Sequence, residues 1–419
     1  MDREIGGVKI WQYLRMDLYR ILALRTGVLE QPHTIRKSLS DRLLSLPRYL
    51  YNTARYNPFS VEGPVELVIF DHVRHKCVGG ENIDIYTKGL IDDLERQGRS
   101  FVVLEQPYQR AHFKTISPHR KYLDALIVRG FIRHRLGSVS LSQDETAFVS
   151  VLKQAIRERF EVDLDLQTRF RSQIGRFRVN YALYTDLFRK LRPGQIYLVV
   201  SYGQGEMIKA ARDLGIETIE LQHGVFGRYH LGYSFPDRTT PLDYFPDQFH
   251  VWSEYWKRIP ELPLPEARIV VRGFEHLEHY KREYAGLGKN RSQILVISQG
   301  SIGSRLAETI RDNLPALSGY RIVYKLHPGE YDRWRSYPAL VEMVGRGEVR
   351  LAKDVDLYRL MAESQFQIGV YSTALFEGIE FGCETVLVEL PGIAYMKDLL
   401  ESGRAVTFEE FLSRASAAR

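Results

Sequence analysis

Histidines, hydroxyl residues and carboxylates at the ends of apolar runs are the groups in this sequence best able to do chemistry. Lys325 and His327 stand two apart, so an extended chain puts both on one side, and Pro328 then forces a turn that pins the histidine. Such a histidine either donates to a phosphate oxygen or caps its own turn. Ser298, Gln299, Gly300 and Ser301 end another run and lead through Gly303 into a helical pattern. Small residues at a helix start can hold a phosphate with amides and hydroxyls, and they also make ordinary turns. Tyr371, Ser372 and Thr373 end a third run. The Ser-Thr pair either caps the next helix or faces a phosphate, and Glu377, one turn further, is placed to accept two ribose hydroxyls. In the first half of the chain, Asp71 and His72, then Glu105, then Gln222, His223 and Gly224 occupy equivalent positions, with Arg228 and His230 just beyond. Asp71, Glu105 or His223 could take a hydroxyl proton. Equally, Asp71 could cap a helix and His223 could be a satisfied loop histidine. Asp163-Leu164-Asp165 has a metal-type spacing but lies between two charged helices, so it reads as a helix cap, and neither metal nor cofactor is expected.

These residues need strands to carry them and helices to pack the strands. Short, nearly continuous apolar runs at 65–71, 100–106, 196–202, 218–224, 249–254 and 267–273 alternate with helical patterns, including two long ones over 144–161 and 166–191. The alternation resumes with runs at 292–300, 321–328, 349–354, 366–372 and 385–390. Apolar strands alternating with helices predict α/β architecture, with parallel sheets covered on both faces. The length exceeds one sheet, which predicts two doubly wound, Rossmann-like domains facing a cleft. In such sheets ligands bind beyond the carboxyl ends of the strands. The expected organisation is a basic, amphipathic helical extension over 1–60, a first Rossmann-like domain over 61–265, a second over 266–400, and a last helix over 401–419 that packs back on the first domain.

The 419 residues, 44% hydrophobic and 26% charged, are globular in composition, which excludes disorder and fibrous repeats. Two widely separated cysteines argue against structural zinc or a disulfide framework and for a reducing compartment. No apolar run reaches the roughly 20 residues of a membrane span, and the first 25 residues lack the apolar core of a signal peptide. A cytoplasmic location is expected. The net charge is +6, and residues 1–60 alone hold ten Lys/Arg against five Asp/Glu, 10 − 5 = +5. In that stretch Trp11, Leu14, Leu18, Ile21 and Leu22 form a stripe at helical spacing, suited to peripheral contact with the inner face of the membrane or to docking on the chain itself. A second basic stretch runs from Arg110 through Lys114, Arg120, Lys121, Arg129 and Arg133 to Arg135. It suits an anionic partner or is a solvated helix face, and with no zinc-finger or RNP signature a nucleic-acid partner is not expected.

The His327-Pro328 pair, the later Ser372-Thr373 pair and the following Glu377 resemble bacterial glycosyltransferases of the GT-B fold. Within these, a His-Pro motif followed by a Ser/Thr motif is similar to capsule-type enzymes: bacterial sialyltransferases and polysialyltransferases, Kdo transferases and CDP-glycerol glycerophosphotransferases. The His223-Gly224 step resembles the His-Gly of the last of these. The resemblance implies that Ser298, Gln299, Gly300, Ser301, Lys325, His327, Pro328, Tyr371, Ser372, Thr373 and Glu377 bind a nucleotide-activated sugar, with His327 and the Ser-Thr pair on its phosphate. It further implies a CMP-linked acidic sugar as donor, and a surface glycan or lipid-linked acceptor held by His72, Gln222, Gly224, Arg228 and His230. Asp71, His223 and Glu105 would then be catalytic. A polyol-phosphate transferase and a nucleotide-sugar 2-epimerase are the alternatives on the same fold. The Glu377-to-Glu384 interval is one residue short of the Glu-x7-Glu pattern of retaining GT-B enzymes, which leaves the stereochemistry open.

Overall fold

Most of the candidate site residues lie at or just beyond the carboxyl ends of strands in two parallel sheets, so the strand order decides which of them meet. The computed structural model describes residues 2–28, 39–235, 240–258, 262–353 and 355–417. Residues 29–38 of the expected extension and Asp354, the end of one expected strand, lie outside them. The chain forms two compact units. The first comprises Met1–Leu22, Ile35–His223 and Leu231–Phe274, and the second Ala23–Thr34, Gly224–His230 and Glu275–Arg419.

The sheet of the first unit contains β1 (Leu67–Phe70), β2 (Phe101–Glu105), β3 (Arg120–Tyr122), β4 (Gln195–Val199), β5 (Glu217–Leu221), β6 (Gln248–Val251) and β7 (Ile269–Val271). All are parallel, in the order β7-β6-β5-β4-β1-β2-β3. The second unit holds β8 (Asn290–Ile297), β9 (Arg321–Lys325), β10 (Val349–Ala352), β11 (Ser364–Gly369), β12 (Glu384–Leu387) and β13 (Ala405–Thr407), parallel in the order β10-β9-β8-β11-β12-β13. Each sheet starts in the middle, grows to one edge, then crosses back, which is the doubly wound order. The reversal falls between β1 and β4 in one unit and between β8 and β11 in the other. The connections leave in opposite directions there, so a crevice opens at the strand tips.

Both faces of each sheet are covered, which explains strands such as LVIF (67–70) with every residue buried. Helix Gln143–Phe160 starts with a Ser142–Glu145 capping box, and helix Leu166–Leu191 is capped by Asp165, whose side chain accepts from the Thr168 N–H at 3.1 Å. The cap role read for Asp163-Leu164-Asp165 thus falls to Asp165. Among the described residues no helix is long and apolar enough to cross a membrane.

In the stripe of helix Ile10–Arg25, Leu14 and Leu18 dock on the chain itself, buried with Ile5 and Val8 against Phe170, Ile174 and Phe177 of helix Leu166–Leu191, while Trp11 stays exposed. A stripe at helical spacing fits lipid or protein equally, and here the cover comes from some 150 residues downstream. The segment 401–419 is not a single helix returning to the first domain. Residues Ala405–Thr407 add the last strand of the second sheet, and Phe408 and Phe411 of helix Phe408–Ala417 join the core around Ile294 and Ile322. Three-residue strands such as β13 and β3 are too short to show a period, so neither is legible in the sequence.

Candidate functional site

In the second unit, β8 pairs with β9 on one side and β11 on the other, with Ile297 opposite Lys325 and Val296 opposite Ile368. The three tips are therefore neighbours, and side chains tie them together. The Ser298 hydroxyl donates to Glu330 Oε1 at 3.0 Å, and the His327 N–H donates to Glu330 Oε2 at 2.9 Å. Ser301 and Tyr371 share a hydroxyl–hydroxyl bond, and Arg333 donates to the Gly300 carbonyl. Ser298, Gln299, Gly300, Ser301, His327, Pro328, Tyr371, Ser372 and Thr373 thus lie at or just beyond the tips of three neighbouring strands, next to the starts of helices Gly303–Asp312 and Thr373–Glu380.

Glu330 is the brace the sequence reading missed, though the His-Pro-Gly-Glu spacing is that of a capping box. It is fully buried; burial pushes its pKa up, and the bonds from His327 and Ser298 pull it back. Gly303 is required beside it, because a Cβ there would lie 2.0 Å from Glu330 Oε1 and 2.9 Å from the Tyr337 ring. Gly303→Ala is expected to cost about 1–3 kcal/mol in thermal unfolding; an unchanged melting curve would show that Glu330 can move aside.

His327 caps its own turn. Its Nδ1 accepts from the Gly329 N–H at 3.0 Å, so the neutral ring carries its proton on Nε2, a donor. Ser372 is also a cap, accepting from the Ala374 N–H at 3.3 Å. Lys325 is a correction: its ammonium donates to the Lys353 and Val355 carbonyls at 2.7 and 2.9 Å, closing the end of β10 rather than facing the crevice. Glu377 is turned to helix Leu357–Glu363, accepting from the Tyr358 hydroxyl at 3.2 Å.

Three residues expected on the acceptor side belong instead to the second unit. Thr373 Oγ1 accepts from the Val225 N–H at 3.2 Å, and a Cβ on Gly224 would come within 2.9 Å of that oxygen, so glycine lets the two segments close up. Arg228 faces Asp398 at 3.4 Å, and the His230 ring lies 6.0 Å from that of Tyr395.

In the first unit, the expected carboxylates are sealed. Asp71 is enclosed by Arg120, by the Thr87 hydroxyl at 2.8 Å and by Lys114 at 3.4 Å. Burial would raise its pKa, but Arg120 and Lys114 outweigh burial and hold it below the usual carboxylate range. Burial and the Asp71 charge push neighbouring Asp84 well up. Glu105 accepts from Arg120 at 2.8 Å and meets His112 at 3.0 Å, whose other nitrogen is 2.7 Å from Asp124. Burial opposes charge on His112, yet those two acids raise its pKa. Neither Asp71 nor Glu105 offers an oxygen to an acceptor; both are corrections, since a strand-end acid looks the same in sequence whether a distant arginine covers it or not. Gln222 is a third, its buried amide accepting from the Trp252 N–H at 2.9 Å and so tying the ends of β5 and β6.

His223 remains. Its ring is half-buried and lies 6.2 Å from that of His72, which burial and the Arg74 and Lys114 charges hold neutral, with a pKa of about 4. Behind His223 stand Tyr233 and Glu220, which the sequence reading did not select. Tyr233 donates to Glu220 Oε1 at 2.5 Å, and its oxygen is 3.4 Å from His223 Nδ1. With the phenol proton directed at Glu220, the phenol oxygen is left to accept from a proton on Nδ1. The lone pair of His223 is then on Nε2, the arrangement of a general base. Burial pushes Glu220 up to about 7, tempered by the Ser201 hydroxyl, Tyr233 and the Ser201 and Val200 N–H groups. To aim those groups, Val200 takes φ +69°, a left-handed conformation costly for a β-branched residue. The signal in the sequence was an acid inside the strand TIEL (218–221) with apolar neighbours.

No known protein family matches this chain, and no curated sequence does. Solved structures do resemble it. The UDP-GlcNAc 2-epimerase of Methanocaldococcus jannaschii is 10% identical over 84% of this chain and 91% of its own, with a TM-score of 0.47. MurG of Acinetobacter baumannii is 13% identical over 82% and 85%, with 0.46. The spinosyn rhamnosyltransferase SpnG is 11% identical over 84% and 89%, with 0.43. At such scores the likeness decides nothing about chemistry.

Proposed function

We propose that this chain is a glycosyltransferase using a nucleotide-activated sugar. The observation that carries the reading is the Ser301–Tyr371 hydroxyl bond between the tips of β8 and β11, with Ser372 capping the helix that follows β11 and His327 at the tip of the neighbouring β9. These are donors and amide ends suited to a departing phosphate, which needs negative charge stabilised as its bond to the sugar breaks. His223, with its lone pair on Nε2, takes the proton of the acceptor hydroxyl. The resemblance of His327-Pro328 and Ser372-Thr373 supports a CMP-linked acidic sugar as donor, with a surface glycan or glycolipid as acceptor. A 2-epimerase would need carboxylates at the sugar, and the sealing of Asp71 and Glu105 favours transfer.

Thermal protection by nucleotides tests this. CMP at about 100 times its Kd is expected to add about 2.7 kcal/mol to stability, with UDP the weaker ligand and His327→Ala losing the effect. Equal protection by UDP would replace the donor class. No protection by any nucleotide, together with no release of CMP or UDP from nucleotide sugars, would overturn the function itself.

A further inference from the structure

Helix Asp124–Leu136 is apolar on two faces. Ala125 and Leu126 are buried in the core of the first unit, while Ile127, Phe131 and Ile132 on the other side are 41, 59 and 52% exposed. A helix with an apolar outer face needs a cover for it. Nearby, helix Leu39–Arg55 leaves Leu50 and Tyr51 exposed as well, and its Asn52 bonds to Asp124 at 3.0 Å. An open groove of about 440 Å³ lies between this helix and Leu166–Leu191, lined by Leu126, Val179 and Leu183 and also by the polar Gln106, Arg176 and Asn180.

Charge selects the occupant. Between Arg110 and Leu136 the only acidic residue is Asp124, which is buried, whereas Arg129, Arg133 and Arg135 are exposed among the apolar side chains. Arg135 lies over the Phe131 ring at 4.6 Å, so its charge sits at the edge of the apolar patch, and Arg133 keeps only a distant, exposed partner in Asp186 at 4.0 Å. Phenylalanine and isoleucine ringed by arginines match the boundary between hydrocarbon and phosphate in a bilayer. We infer that the outer face of helix Asp124–Leu136 docks on an anionic membrane surface. The patch enters the acyl boundary, and the three arginines meet lipid phosphates. This surface is on a different helix from the N-terminal stripe, whose Leu14 and Leu18 are buried while Trp11 is exposed, and the inference holds whether or not the chain transfers sugar.

Sedimentation of the full chain with vesicles of phosphatidylcholine, with and without phosphatidylglycerol, tests the inference. Binding is expected only with phosphatidylglycerol and should fall as salt rises. Replacing Arg129, Arg133 and Arg135 together by Gln is expected to weaken it at least about ten-fold. Phe131→Ser with Ile132→Ser should weaken it comparably and leave the salt dependence. Val151→Ser, at an exposed site on helix Gln143–Phe160, should change nothing. All of these residues are exposed, so unchanged circular dichroism and melting are expected and would confirm that each variant is folded. Equal binding to both vesicle types, or arginine and Phe131/Ile132 variants that bind like the native chain, would overturn the inference. So would a concentration-dependent dimer that the Phe131/Ile132 variant abolishes, since the face would then belong to a second copy.

Discussion

His223→Gln is expected to lower kcat for sugar transfer by about 10²–10⁴-fold, with nucleotide protection of the protein unchanged. The loss is large because the other strand-end groups cannot substitute. Asp71 and Glu105 are locked to Arg120, and His72 points its chemistry at Tyr86 and His223 from a half-buried position. If His223→Gln retains near-native turnover, the base lies elsewhere even if the nucleotide site is right. Glu220 acts through Tyr233 as a positioning residue. Tyr233→Phe should let the histidine proton move to Nε2, a change of tautomer visible in ¹⁵N spectra of His223 and accompanied by a shifted pH–rate profile; a purely structural Tyr233 would move neither.

Glu220 also sets a pH dependence whose sign is fixed. Its folded pKa of about 7 lies above the ordinary 4.5, so the protonated form is the one the fold prefers. The contribution is fully present below the unfolded value and is lost as pH rises through 7. The displacement corresponds to on the order of 3 kcal/mol. Glu220→Gln, which cannot ionise, should therefore be more stable relative to the native chain at pH 8 than at pH 4. A difference in melting temperature that does not vary over this range would remove the assigned pKa.

Arg120→Met is expected to produce the largest loss of stability, about 3–5 kcal/mol. It leaves Asp71 and Glu105 buried without the guanidinium that both of them bond. An exposed ion pair would be worth little, but here the Asp71 side chain is fully buried and that of Glu105 nearly so. The pH test again has a definite sign. Asp71 has a depressed folded pKa, so its contribution is present above the unfolded value and lost as pH falls through the folded one. Arg120→Met frees Asp71 to take a proton, and the gap between variant and native chain should narrow in acid. A gap that is constant with pH would assign the loss to packing rather than charge.

Much of the secondary structure could be read directly. Strands buried on both faces are unbroken apolar runs, and helices Gln143–Phe160 and Leu166–Leu191 announce themselves through Ser142, Glu145 and Asp165. These are signals between residues a few positions apart. That the candidates ending β8, β9 and β11 stand close together was legible for a related reason: residues that end parallel strands must converge at one edge of the sheet, whatever they do there. Choosing among them was beyond the sequence. Lys325 and His327 share one strand tip, yet one closes β10 and the other caps its own turn.

The chain's own pattern thus determined the alternation of strand and helix and the parallel sheets, because propensity, period and capping act over a turn or two. Tertiary structure alone decided that Arg120 silences Asp71 and Glu105, that residues 224–230 join the second unit, and that Tyr233 and Glu220 stand behind His223. Burial and electrostatic pairing depend on what lies within a few ångströms in space, and those neighbours are up to 150 residues away along the chain.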